Sequence, residues 1–364
     1  MLSEIKEQPE IIKKLAEYYL PQNQPVQKIQ LNMTKQDLSN ILKIYIVASG
    51  SSRNAGNIAK YVIENIVKLP VEVDYASEFA HRNPNLTKND LVIAISQSGE
   101  TADTFSALKI AHEKGAHTLA LTNNPQSKIH NLAESQMQIQ AGKEKSIAAT
   151  KSFTAQLINL YALALYLGEQ RNTISPEEIE KFKSELHYLK NKLEKVLENI
   201  EKLSSITEKI KDSKSIILIG RGLNFAVAQE GALKIKETDY IDANGYPSGE
   251  FLHGYLAIID KNIPIISIIV PDINNNYKLA INNTEEIKQK RNPNLIIIKS
   301  QKDKEIETRP LFKDADFINI PEAGEEVSSI FTVVILQLLA FKIAKALGLD
   351  TDNPRGLSKT IVSE

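Results

Sequence analysis

Short, continuously apolar runs alternate along this chain with longer stretches of helical periodicity. Residues 43–48 (Lys-Ile-Tyr-Ile-Val-Ala) break into Ser49-Gly50-Ser51-Ser52-Arg53-Asn54 and then a helical pattern through Val67. Residues 91–95 break into Ser96-Gln97-Ser98-Gly99-Glu100-Thr101, and residues 118–121 into Thr122-Asn123-Asn124-Pro125. A strand, a small polar turn and a helix, in that order, open a βαβ unit. Because the runs are apolar throughout and do not alternate, each strand is predicted to be covered on both faces, as in a parallel sheet between helices.

The same grammar returns further on. Runs at 215–219, 263–270 and 295–298 lead into Gly220-Arg221-Gly222, Pro271-Asp272 and Lys299-Ser300. The closing helices correspond too, one from Phe153-Thr154 to Leu167-Gly168 and one from Phe331-Thr332 to Leu347-Gly348. Offsets of about 170 to 180 residues mark an internal duplication. The expected fold class is therefore α/β, with two tandem doubly wound, flavodoxin-like domains of parallel sheet joined by a long helical linker.

Expected boundaries are a helical arm at 1–39, a first domain at 40–168, the linker at 169–205, a second domain at 206–348 and a tail at 349–364. The linker opens on Ser175-Pro176-Glu177-Glu178, a helix start with serine as cap and glutamate at the capping-box position. Behind it Ile179, Phe182, Leu186, Leu189, Leu193, Val196, Ile200 and Leu203 form one apolar stripe on a Lys/Glu-rich background read as a solvated face. A coiled-coil seam is the weaker reading of that stripe.

Composition adds limits. A length of 364 residues favours two domains. A formal net charge of −1 gives no ground for nucleic-acid binding. There is no cysteine, hence no disulfide, thiolate metal site or cysteine nucleophile, and the six histidines show no metal-ligand spacing, so neither metal nor cofactor is expected. No apolar run reads as long enough to span a membrane and the start is no signal peptide, which points to a cytoplasmic protein with no membrane partner.

Two features carry candidate chemistry. In open parallel sheets ligands sit beyond the carboxyl ends of the strands, where helix N-termini present free N–H groups. Two turns of the first domain are rich in hydroxyls there: Ser49, Ser51 and Ser52 in one, Ser96, Gln97, Ser98 and Thr101 in the other. They suit a phosphate or phosphosugar, although such residues also simply cap helices. Neither matches the Walker or dinucleotide pattern. The second feature runs from Gln229 to Gly254. Glu230, Lys234 and Glu237 fall at i, i+4 and i+7 among Ala226, Val227, Ala228, Gly231, Ala232, Leu233 and Ile235, with His253 beyond a Gly-Tyr-Pro-Ser-Gly turn. An acid/base face and an ordinary surface ion pair both fit that spacing.

These motifs, with Ala149-Thr150-Lys151-Ser152-Phe153-Thr154 and the ending Asp352-Asn353-Pro354-Arg355-Gly356-Leu357-Ser358-Lys359, make the chain resemble the sugar isomerase (SIS) family over nearly its whole length. More narrowly it resembles the isomerase half of glucosamine-6-phosphate synthase and its stand-alone isomerase and deaminase relatives. The resemblance implies that Ser51, Ser52, Ser96, Gln97, Ser98 and Thr101 hold the phosphate of a hexose 6-phosphate. It makes Glu237 the base that shuttles a proton between C1 and C2, His253 the ring-opening histidine reached from a partner subunit, Lys359 the Schiff-base lysine, and Lys234 the cation near the developing enol oxygen. It also implies a homodimer with a shared active site.

Departures are visible. No cysteine stands where the synthase's glutaminase nucleophile would be, Arg53 follows the first serine pair, and Tyr255 follows His253-Gly254 in place of a proline. The expected activity is interconversion of fructose 6-phosphate and glucosamine 6-phosphate, by deamination or with ammonia. The alternatives are an excised isomerase half of a glutamine-dependent synthase, a plain ketose/aldose 6-phosphate isomerase and, from another class, a non-catalytic phosphosugar sensor.

Overall fold

A computed structural model describes residues 1–198, 200–273 and 276–360. The described chain separates into two compact units, one of residues 10–144, 151–188 and 358–360, the other of residues within 1–9, 145–150 and 189–357. Each unit holds one five-stranded, all-parallel sheet.

Helix α1 (Leu2–Tyr19) and the short α2 (Lys35–Asn40) precede the first sheet. Pro9 lies inside α1 and has no N–H to give to the Ile5 carbonyl. That carbonyl instead accepts from Gln8 Nε2 at 3.2 Å. The first repeat then runs β1 (Lys43–Ala48), α3 (Gly50–Val67), β2 (Val71–Tyr75), α4 (Ala76–His81), β3 (Asp90–Ser96), α5 (Ala102–Glu113), β4 (His117–Thr122), α6 (Lys128–Leu132), β5 (Ser135–Gln138) and α7 (Lys151–Gln170). Its strand order is β2-β1-β3-β4-β5. The connection through α3 leaves β1 in one direction and that through α5 leaves β3 in the other, so the topological switch falls between these neighbours. Ala48 pairs with Ile95, so Ser49 and Ser96 leave the sheet side by side.

The segment that follows is helical but broken: α8 (Pro176–Glu198), a 3-10 turn over Ile200–Leu203, and α9 (Ser204–Ile210). Both halves of the capping box form, Glu178 N–H to Ser175 Oγ at 3.2 Å and Ser175 N–H to the Glu178 carboxylate at 2.9 Å. The apolar stripe is buried within the single chain, with Leu186 and Leu193 fully covered, so no coiled-coil partner is needed for it. The solvated-face reading fails at Lys183, which is fully buried and donates to the Gln24 carbonyl and to Glu180.

The second repeat runs β6 (Ser215–Gly220), α10 (Leu223–Asp239), β7 (Asp242–Pro247), β8 (Ile265–Ile269), α11 (Tyr277–Arg291), β9 (Leu295–Ser300), α12 (Glu305–Thr308), β10 (Asp316–Ile320) and α13 (Ser328–Ala346). Its order, β10-β9-β8-β6-β7, is the first sheet's order over again. Residues 245–247, expected to form a turn, belong instead to β7 and pair with Leu218, Ile219 and Gly220. An added Cβ on Gly245 would lie 2.7 Å from the backbone of Ala228 and Gln229, so glycine here lets the strand run close under α10.

Helix α13 corrects the reading that no apolar run could span a membrane. Among the described residues it is the one helix long and apolar enough to do so, and polar Thr332 and Gln337 disguise it in the sequence. Of its most apolar window 78% is buried inside the protein, and a core helix covered on every side needs apolar residues all round.

Candidate functional site

The two hydroxyl-rich turns begin helices at the switch point of the first sheet. Ser49 and Thr101 stand at the N-cap positions of α3 and α5, and neither side chain bonds to its helix. Two other capping side chains do bond: Thr34 closes a full capping box on α2, and Ser127 accepts from the His130 N–H. Free first-turn N–H groups carry partial positive charge and need an acceptor. The hydroxyls are held by one another. Ser96 Oγ lies 2.9 Å from Thr101 Oγ1 and accepts from the Gly99 N–H at 3.0 Å, Ser98 Oγ accepts from the Glu100 N–H at 3.1 Å, and Ser52 Oγ accepts from Gln156 Nε2 at 3.1 Å. Gly99 has φ +71°, and a side chain there would collide with Ser127 Oγ at 1.9 Å, so the tight turn demands glycine. Arg53, one turn into α3, lays its guanidinium 3.6 Å from the centre of the Tyr75 ring.

In the same unit, Lys359 donates to Glu144 Oε2 at 2.6 Å. Glu144 is buried at the start of the α7 approach, and its other oxygen accepts from the Ser152 N–H at 3.1 Å. Glu144 also borders a polar cavity of about 500 Å³ lined by Gln97, Asn123, Gln138, Gln140 and Gly142, which reaches the second hydroxyl turn through Gln97. Sequence reasoning passed over Glu144. It sits in a lysine-rich loop with no periodicity, and its partner Lys359 lies 215 residues away.

In the other unit, α10 brings together the three groups spaced at i, i+4 and i+7. Lys234 Nζ lies 2.5 Å from Glu237 Oε2 and 3.5 Å from Glu230 Oε1. Lys234 and Glu230 are fully buried and the Glu237 side chain is 21% exposed, so this is no ordinary surface pair. A half-open carboxylate held by a buried ammonium is suited to proton transfer at its exposed edge. Gly231 permits the burial, since a Cβ there would stand 2.5 Å from Leu336 Cδ1 on α13. At the end of α10, Asp239 is 4% exposed and burial pushes its carboxyl up to about 8, against the lowering effect of its bond from Thr238. Next to it, Tyr240 takes the left-handed cap position, accepts from the Arg355 N–H at 2.8 Å and carries the Arg355 guanidinium over its ring.

His253 follows the 3-10 turn Glu250–Leu252 and is exposed, and among the described residues its ring makes no hydrogen bond or ion pair. Tyr255 beside it packs on Tyr246 at 4.5 Å between ring centres, and Ile258 is 56% exposed. No group of three or more potential metal ligands is found among the described residues.

The second sheet's own switch point, between β6 and β8, is closed. Gly222 has φ +56°, and a Cβ there would meet Asn276 Nδ2 at 2.4 Å and Asp272 Oδ2 at 2.6 Å. Asp272 is buried and accepts from the Asn276 N–H at 3.0 Å. The buried Asp272 carboxylate at this turn disfavours an anion there.

The SIS domain model matches residues 37–166 and 209–344. The glutamine–fructose-6-phosphate aminotransferases [isomerizing] of Chlorobaculum tepidum and Clostridium perfringens are 41% and 39% identical to the chain over its full length. The chain spans 58% and 59% of the length of these curated relatives. The solved C-terminal domain of glucosamine-fructose-6-phosphate aminotransferase from Francisella tularensis superposes with a TM-score of 0.90 at 32% identity, covering 97% of this chain and 98% of that domain. With one such domain built on each of its sheets, the chain belongs to the SIS domain family.

Proposed function

We propose that the chain binds a hexose 6-phosphate and interconverts fructose 6-phosphate and glucosamine 6-phosphate, with nitrogen entering or leaving as ammonia. The observation that supports this most directly is the pair of helices, α3 and α5, whose hydroxyl-bearing first residues leave their N-termini uncapped at the switch point. Ser51, Ser52, Ser96, Gln97, Ser98 and Thr101 are assigned to the phosphate. Lys359 forms the Schiff base at C2. Glu237 carries the proton between C1 and C2, and Lys234 stabilises the charge that develops on oxygen as it moves.

His253 is assigned to ring opening. Its exposed ring, between exposed Tyr255 and Ile258, favours presentation to a second copy of the chain, so the working form is taken to be a cytoplasmic homodimer. The names of the curated relatives carry glutamine and fructose 6-phosphate, and that of the solved domain adds glucosamine, which supports the substrate pair and, for a longer protein, glutamine as the source of the ammonia.

The test is direct. Purified protein incubated with glucosamine 6-phosphate should release ammonia and fructose 6-phosphate, and fructose 6-phosphate with ammonium should run the reverse. Glu237→Gln should lower either rate by about 10²- to 10⁴-fold with binding retained. Production of glucose 6-phosphate from fructose 6-phosphate, with no dependence on ammonia, would make it a plain isomerase. Tight binding of hexose 6-phosphates with no turnover would make it a sensor.

A further inference from the structure

We infer that Glu144 is the proton carrier for Lys359, taking the proton that the lysine must lose before it can attack a ketose and returning it to the departing oxygen. This rests on the proposal that Lys359 forms a Schiff base.

Three observations meet at this carboxylate. Its side chain has no solvent exposure, and Oε2 lies 2.6 Å from Lys359 Nζ. The two oxygens divide their tasks. Oε1 accepts from the Ser152 N–H in the first turn of α7, which fixes the side chain, while Oε2 faces the lysine and takes a second bond from Ser152 Oγ at 2.7 Å. Finally, Glu144 lines the cavity of about 500 Å³ that also touches Gln97 of the second hydroxyl turn, so a sugar held there by its phosphate has room to reach this corner.

The chemistry needs such a group. An ordinary lysine amine has a pKa near 10.4, so at neutral pH only about one molecule in a few thousand is nucleophilic. Glu144 removes one proton from the ammonium. The freed nitrogen pair attacks C2, the carbonyl pair moves to O2, and O2 takes that proton. A second N–H proton, acidic once nitrogen is cationic, passes through Glu144 to the same oxygen. The oxygen leaves with the C–O pair as water while the remaining nitrogen pair closes C=N. Two protons thus travel from nitrogen to oxygen and Glu144 ends as it began.

Imine formed with fructose 6-phosphate is reduced by cyanoborohydride and read by mass as a sugar phosphate added to Lys359, with the trapping rate followed against pH. Absence of trapping in the wild type would overturn the Schiff-base reading, and this inference with it. Given trapping, Glu144→Gln keeps an amide oxygen for the Ser152 N–H but cannot take a proton. It should slow trapping by about 10²- to 10⁴-fold, move the profile to higher pH, and recover partly with added formate, while fructose 6-phosphate still binds by calorimetry. Should Glu144→Gln fold poorly, Ser152→Ala keeps the carboxylate and removes one donor to it. That change raises the carboxylate's basicity and should shift the acid limb of the profile upward. Wild-type rate and profile in Glu144→Gln, or an unmoved acid limb in Ser152→Ala, would show that Glu144 only anchors α7, and would overturn the proposal.

Discussion

Lys234 is the residue on which the buried charge of α10 depends. It touches two carboxylates, one of them fully enclosed, so removing it takes a close cation away from buried Glu230. Lys234→Met should cost about 3–5 kcal/mol of stability, in line with breaking a buried pair from one side. Adding Glu230→Gln should recover a large part of that in chemical denaturation; a double variant no more stable than the single one would show that the pairing does not set the cost.

Asp239, at the foot of the same helix, works in the opposite sense. Its carboxyl is pushed by burial from an ordinary 3.8 up to about 8, so the folded state keeps a proton that the unfolded chain releases. That contribution is whole below about pH 4 and is lost as pH rises towards 8, because the unfolded state then binds fewer protons than the native one. The melting temperature of the wild type should therefore fall relative to that of Asp239→Asn between pH 5 and pH 8. Parallel curves would mean the carboxyl is ionised in the fold.

At the scale of elements, closeness of approach is set by glycine. Gly231→Ala would push a methyl into Leu336 on α13 and against Leu218 on β6, for a loss of about 1–3 kcal/mol measurable by denaturant titration. Strands were legible in the sequence to the extent that they are buried. The six apolar runs became β1, β3, β4, β6, β8 and β9, the three inner strands of each sheet. The four edge strands, β2, β5, β7 and β10, had no such run. Half of each edge faces water, so Val71–Tyr75 and Ser135–Gln138 alternate polar residues with apolar ones, and Asp242–Pro247 holds its place through backbone pairing and a glycine. The α10 spacing was equally legible, but its burial was not, because that depends on α13 about a hundred residues later.

For the whole molecule, duplication supplied two switch points, and a buried carboxylate, Asp272, stands at the second. Hexose 6-phosphate should bind at one site per chain by calorimetry, and a stoichiometry of two would show that Asp272 does not close the second. Thr101→Val keeps the shape of its side chain and removes a hydroxyl, so it should weaken binding by about tenfold, as expected for a hydrogen bond to a charged group. Glu144 shows where sequence pattern runs out. Helical and strand periods report neighbours a few positions apart, whereas the loop at 144 and the tail at 359 meet across 215 residues.

Helix α13 bears on how the protein comes into being. Among the described residues it is the last helix in chain order, yet it packs over α10 at Gly231, so until it is made the cover over Glu230 and Lys234 is incomplete. A nascent chain halted near residue 327 would expose the apolar faces that α13 normally covers, and α13 itself, once made, presents a stretch that a membrane-insertion machinery could take for a span. Docking of this helix completes the cover over the second sheet's α10. Chains truncated before Ser328 should accordingly accumulate as aggregates or chaperone complexes, whatever the quality of their first repeat.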